Sequence, residues 1–221
     1  MKGLHGGDIY RNHVEIDFSV NVNPLGIPEA VEAALYEAVE KSSRYPDISA
    51  EKLKKAVSGM LTVLKEYLLF GNGASELFMA IIHGIKPKKM VIPVPSFYGY
   101  EYVAEVADGE IIYYETKEEN DFCLRNDFFS VLTDDVDVLF LANPNNPTGN
   151  LMSKDALRNV LFHCMDKVIY VVLDEGFIEF CGKECSMIQE INNFSNLILV
   201  RAFTNIFAIP GVRLGYLICS N

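Results

Sequence analysis

The sequence predicts an α/β fold of three layers, α/β/α, built on a mainly parallel sheet. Three observations carry that reading. Short runs of Val, Ile and Leu, most clearly at 168–173 and 197–200, are unbroken by charge, as strands covered on both faces require. Amphipathic stretches of helical period lie between or before such runs, and this alternation means parallel strands joined by right-handed crossovers. Nothing repeats at a fixed period, and no Pro/Gly/Ser-rich linker divides the chain. One large domain, 41–221, is therefore expected behind an N-terminal arm, 1–40.

In chain order, helices are expected at 28–42 and 49–64, and a third at 75–85. A strand at Lys89–Val94, a helix at Gly99–Val106 and strands at Glu110–Glu115 and 136–142 follow. Helix Lys154–Asp166 comes next, with Ser153 placed to cap it. Strands at 168–173, 197–201 and 214–218 complete the pattern. In sheets of this kind ligands bind beyond the carboxyl ends of the strands, so the informative residues are expected in the turns that follow them.

Composition narrows the function classes. The 221 residues are 50% hydrophobic, which provides a core and excludes disorder, while 15 Gly and 9 Pro exclude collagen-like or low-complexity character. Nineteen Lys and Arg against 30 Asp and Glu give a net charge of −11, unsuited to nucleic acid or an anionic membrane. Small anionic ligands need only a few placed donors. Five cysteines, an odd number, without a basic then apolar leader, argue against a secreted disulfide framework. Cys181 and Cys185 lack a second Cys/His pair at zinc-site spacing, so no metal is expected. The longest apolar runs are too short to span a bilayer, and a soluble, cytoplasmic protein is expected.

Four segments carry the candidate chemistry. Gly71-Asn72-Gly73-Ala74-Ser75-Glu76 opens a helix with glycines that allow close backbone approach and with free N–H groups that seat a phosphate; Ser75 is expected near the cap. It is neither a dinucleotide fingerprint nor a Walker loop. Asn143-Pro144-Asn145-Asn146-Pro147-Thr148-Gly149 follows a strand directly, and its two prolines fix a turn that aims short amides over the strand end. Asp174-Glu175 follows the next strand, where a lone Asp serves either as a helix cap or as a carboxylate facing the site. Arg213 opens the last apolar strand, where its charge needs an anionic partner.

In this order, together with Pro95-Ser96-Phe97-Tyr98-Gly99-Tyr100, these segments resemble the fold-type I pyridoxal-phosphate enzymes of the class I/II aminotransferase group. The resemblance runs from Asp17 onward. His5-Gly6-Gly7-Asp8 and the run from Asp17 through Asn21, Asn23 and Gly26 are most similar to the threonine-phosphate decarboxylases of cobalamin biosynthesis, with the histidinol-phosphate aminotransferases as near relatives. The resemblance implies pyridoxal 5'-phosphate as cofactor, a phosphorylated amino acid or amine as substrate, and a homodimer. It implies that Ala74, Ser75 and Glu76 bracket the cofactor phosphate, that Arg213 neutralises it and that Thr204 adds a hydroxyl. Asp174 would keep the pyridine nitrogen protonated, Asn146 would donate to the phenolic oxygen and Phe97 would stack on the ring. Tyr98 and Tyr100 read as core aromatics. Tyr45 matches a tyrosine lent to the neighbouring subunit's phosphate, and Asn21, Asn23 and His5 are candidates for the substrate's polar groups.

The departures from the pattern are equally specific. The family's Schiff-base lysine stands eight positions before the phosphate-binding arginine; here that position is Asn205, and no lysine follows Lys183. An amide is no nucleophile, so catalysis at Cα is expected to be severely impaired. Ala202 and Phe177 replace a hydroxyl and a tyrosine common in the family. The family continues into a small C-terminal domain with an arginine for the substrate carboxylate, a role no residue up to Asn221 can take, so the large domain is read as cut short. Three readings stay open: a decarboxylase, an aminotransferase of the histidinol-phosphate type, and a non-catalytic protein that keeps the cofactor seat. A nucleotide-binding Rossmann reading fails because the strand after Gly71-Asn72-Gly73 ends in Val94-Pro95-Ser96 and not in an acidic residue.

Overall fold

The computed structural model describes residues 6–220. Its helices are α1 (Glu29–Lys41), α2 (Glu51–Leu61), α3 (Ala74–Ile85), α4 (Gly99–Val106) and α5 (Lys154–Asp166). Its strands are β1 (Leu68–Gly71), β2 (Lys89–Val94), β3 (Glu110–Glu115), β4 (Val138–Ala142), β5 (Tyr170–Asp174), β6 (Leu197–Ala202) and β7 (Gly215–Ile218). They form one sheet in the order β1-β7-β6-β5-β4-β2-β3. Strands β2 to β6 are parallel, and β7 runs antiparallel between β6 and β1.

The strands' side chains alternate between two cores, as the two-residue period of a strand dictates. Leu139, Leu141, Val171, Leu173, Leu197 and Leu199 pack on one face with Leu157, Val160 and Leu161 of α5 and Val57 of α2. Val138, Phe140, Val172 and Val200 pack on the other with Leu77, Phe78 and Ile81 of α3 and Tyr100 and Val103 of α4. Both faces are covered, which is why the central strands are apolar without alternation. The fold is the three-layer α/β/α arrangement expected from sequence.

Several boundaries differ from the sequence reading. Strand β1 was not anticipated: Leu68-Leu69-Phe70-Gly71 is only four residues long and pairs with β7 alone. The helix expected at 49–64 stops at Leu61, because Thr62 turns left-handed at φ 57. Strand β4 starts after Asp137, whose carboxylate accepts the main-chain N–H groups of Lys88 (2.6 Å) and Lys89 (3.0 Å). Strand β5 likewise starts later than expected, at Tyr170, beyond the left-handed turn at Val168 (φ 60). Helix α1 buries no residue. Among the described residues no helix is long and apolar enough to cross a membrane.

A candidate cofactor site at the carboxyl edge of the sheet

The anion seat lies between β1 and α3. Gly73 precedes α3 with φ 80 and offers no side-chain cap, so the first N–H groups of the helix remain for a ligand. Ser75, expected near the cap, sits one residue inside the helix and is exposed. Glu76 folds back, and its carboxylate accepts from Asn72 N (2.5 Å) and Nδ2 (3.0 Å). Ala74, Ser75 and Glu76 can thus meet an anion through main-chain N–H groups, not through the Glu76 carboxylate. The Arg213 guanidinium lies over this turn: a Cβ built on Gly73 would stand 2.2 Å from Nη2.

Arg213 does not open a strand, as its place in the sequence suggested. It is exposed two residues ahead of β7, in the left-handed region at φ 58, a conformation that costs roughly 1–3 kcal/mol for a side-chain-bearing residue. Its Nη1 donates to Pro210 O at 3.3 Å, and it makes no ion pair among the described residues. A cation held on a strained turn against a bare helix start has the chemistry of an anion receptor. Thr204 lies half-buried in the turn leading from β6 toward Arg213.

The opposite pole is Asp174, the last residue of β5. It caps no α-helix: its Oδ1 accepts from Gly176 N (2.8 Å), closing a tight turn, while Oδ2 accepts from Tyr100 Oη (2.7 Å). Burial pushes the carboxyl up to about 6, against the lowering pull of the Tyr100 hydroxyl and the Gly176 N–H. Phe97, half-buried, meets Tyr100 edge-on, with ring centroids 5.6 Å apart. Tyr100 is a core aromatic by burial, yet its hydroxyl makes it a site residue that sequence reasoning missed. The signal available was general: a buried tyrosine needs a partner for its O–H.

The Asn-Pro turn is stitched to the same edge. Asn143 N donates to the Asp174 carbonyl (2.8 Å), and Asn143 Oδ1 accepts from Met152 N (2.7 Å). Asn145 Nδ2 donates to Pro95 O (3.1 Å) and Thr148 Oγ1 (2.8 Å). Asn146 is left half-buried, with Asn21 Nδ2 at 3.5 Å from its Oδ1. Asn205 Nδ2 reaches Gly176 O at 3.5 Å, so position 205 adjoins the turn that holds Asp174. The arm is tied to that position as well: Asn23 N donates to Asn205 O (3.0 Å) and Asn23 Nδ2 to Ile206 O (2.9 Å).

The structure therefore links Asn21 to Asn146, and Asn23 through Asn205 and Gly176 to Asp174 and Tyr100, and sets Arg213 on the α3 start. Tyr45 is not brought in; it is fully exposed and joins no site residue of its own chain among the described residues. His5 lies outside the described residues.

The family model for class I and II aminotransferases matches residues 14–221. The chain belongs to the class I and II aminotransferase family. Within that family it is 35% identical over 206 residues to threonine-phosphate decarboxylase of Salmonella typhimurium, covering 93% of this chain and 57% of the relative. The crystal structure of histidinol-phosphate aminotransferase from Clostridium acetobutylicum superposes with a TM-score of 0.83 at 35% identity, covering 91% of this chain and 60% of that one. The same enzyme from Sinorhizobium meliloti, solved in complex with pyridoxal-5'-phosphate, shares the fold (TM-score 0.79, 20% identity, 90% of this chain and 55% of that one). This aminotransferase-family chain thus spans less than two thirds of the length of these relatives.

Proposed function

We propose that this chain binds pyridoxal 5'-phosphate at the carboxyl edge of its sheet and belongs to an enzyme acting at Cα of a phosphorylated amino acid, in the manner of a threonine-phosphate decarboxylase. One observation carries the reading: a cation with no ion pair among the described residues, Arg213, is pressed onto the uncapped start of α3, while a half-buried carboxylate, Asp174, ends a strand on the same sheet edge. That donor set fits a group with a phosphate at one end and a protonated ring nitrogen at the other. When bound, such a ring supplies an electron sink for negative charge at Cα.

The chain's own residues take the following roles. Main-chain N–H groups of Ala74, Ser75 and Glu76 and the Arg213 guanidinium hold the phosphate, with Thr204 beside them. Asp174 accepts from the ring N–H. Phe97 covers a ring face, and the Asn146 amide donates to the phenolic oxygen. Asn21 and Asn23 face the substrate, His5 is a further candidate for its polar groups, and Tyr45 reaches the phosphate of a second copy in a homodimer. We place the boundary between arm and large domain near residue 40.

At position 205 the fit fails. Asn205 has no amine to hold the cofactor covalently or to move a proton at Cα, and losing an acid–base group costs roughly 10²–10⁴-fold in rate. The Asn205 amide instead points at the Gly176 carbonyl (3.5 Å), which favours, as a second reading, a seat that binds without turnover. Between decarboxylation and transamination the arm tilts the choice toward the decarboxylase, since Asn21 and Asn23 sit at the site.

The test is spectroscopic. The chain and its Asn205→Lys variant are mixed with pyridoxal phosphate, dialysed and treated with borohydride. The variant is expected to retain a cofactor band and, once reduced, to carry a pyridoxyl-phosphate adduct (cofactor minus water plus two hydrogens) at position 205, while the parent loses the band on dialysis. Failure of both to bind sinks the site assignment. Carbon dioxide released from threonine phosphate, as against formation of a phosphorylated ketone from histidinol phosphate with an oxo acid as amino acceptor, separates the two activities.

A further inference from the structure

We propose that Tyr100 is the positioning residue for Asp174: its hydroxyl fixes the carboxylate's orientation and keeps it charged, so that an unused lone pair faces the cofactor's ring nitrogen. The last clause rests on the cofactor reading above; the first stands on this chain alone.

The geometry leaves Tyr100 little freedom. Its ring is 1% exposed, stacked on Phe140 (centroids 5.1 Å, interplanar angle 12°) and edge-on to Phe78 (5.2 Å) and Phe97 (5.6 Å). A ring gripped on three sides cannot swing its hydroxyl elsewhere, and that hydroxyl points at Asp174 Oδ2 at 2.7 Å. Gly176 N takes the other oxygen at 2.8 Å. The two donors fix the carboxylate plane and use two of its roughly four acceptor sites. Burial and the neighbouring carboxylate raise the phenol well above its ordinary range, so Tyr100 is a neutral donor throughout the working pH range. A hydroxyl that donates to the carboxylate favours the ionised acid, and the O–H···O⁻ bond is of the charge-assisted kind.

The other charged groups near Asp174 do not compete. Glu175, whose charge raises Asp174 slightly, is turned toward Arg201 (2.7 Å), and Glu179 also faces Arg201 (3.5 Å). Tyr100 is thus the side chain that offsets the burial of Asp174.

Tyr100→Phe keeps all three ring contacts and removes the O–H alone, so the variant is expected to fold. The first measurement is a ¹³C NMR titration of the Asp174 carboxyl without cofactor. In Tyr100→Phe its midpoint is expected to rise by about one unit, the value of one lost charge-assisted bond. An unchanged midpoint overturns the proposal. The second is pyridoxal-phosphate affinity against pH for the parent, Tyr100→Phe, Asp174→Asn and the double variant. As pH falls, the variant's binding is expected to fade about one pH unit earlier than the parent's, so that Tyr100→Phe binds about twofold more weakly near pH 7 and about tenfold more weakly near pH 5. In the Asp174→Asn background the same change is expected to do nothing further. An equal loss in both backgrounds means that Tyr100 acts through packing, and the proposal falls. If the parent binds no cofactor the functional reading fails, and the titration alone decides whether Tyr100 holds Asp174 in its charged form.

Discussion

Asp174 and Glu175 are neighbours at the end of β5, and the molecule uses them in opposite ways. Glu175, 0% exposed, accepts from Ser186 Oγ (2.9 Å), Met187 N (2.7 Å) and two nitrogens of Arg201 (2.7 and 3.0 Å). Four donors of its own chain thus converge on it, three on Oε2 and one on Oε1. Asp174 alternates toward the α4 side and receives two donors, Tyr100 and Gly176, among the described residues. A carboxylate with its full set of donors locks a fold, whereas one with half a set can still receive a ligand. Motif position does not separate the two; the count of donors and the depth of burial do.

The sharpest way to break this comparison is Glu175→Ala. Arg201, 5% exposed, would keep Ser186 (2.5 Å), the more distant Glu179 (3.5 Å) and the side chain of Tyr216 as polar neighbours. Removing one partner of a buried ion pair costs about 3–5 kcal/mol. Urea unfolding of parent and variant should show a loss of this size, with Glu175→Gln falling between them. A variant as stable as the parent would mean that the pair is ornamental and that donor count is no guide to role.

What the sequence could and could not reveal follows from range. The parallel strands were legible because burial on both faces writes itself into consecutive residues, as in 168–173. Strand β1 was not, since four residues carry too little pattern and its pairing partner β7 lies some 150 positions away in the chain. Asp174, Arg213 and position 205 stood out by motif and spacing. Arg213's left-handed turn and the folding back of Glu76 onto Asn72 are products of tertiary packing that no local pattern announces. Tyr100 was visible only as an aromatic, because its value depends on a residue in another element, 74 positions on.

Asp174→Asn is expected to move stability the other way. The native carboxyl titrates near 6 against an ordinary value of 3.8, so the folded state binds its proton more tightly than the unfolded chain does. Stability from this group therefore falls as pH rises from about 4 to 6, and the full cost is present above that window. Asparagine carries no charge to bury, and the variant should be more stable than the parent by about 1–2 kcal/mol at pH 7.5, less so at pH 5. Urea midpoints at the two pH values measure this directly. The same variant should lose cofactor retention. A gain in stability joined to a loss of binding is the signature of a site held at the fold's expense; a loss of both would place Asp174 with Glu175 among the structural carboxylates.

Asp134→Ala gives the smallest effect and makes the others interpretable. Like Asp174→Asn it removes one negative charge from a chain of net charge −11. Its side chain, however, is 87% exposed, and its one ion pair, with Lys167 Nζ at 2.5 Å, lies on the surface. Exposed pairs contribute little, so the melting temperature should change by under about 3 °C and pyridoxal-phosphate affinity should stay at the parent's value. If Asp134→Ala tightened binding, the net field of an acidic protein would be setting affinity for an anionic cofactor. If it leaves affinity untouched, the difference between the variants belongs to where the carboxylate sits and to which of its lone pairs are free.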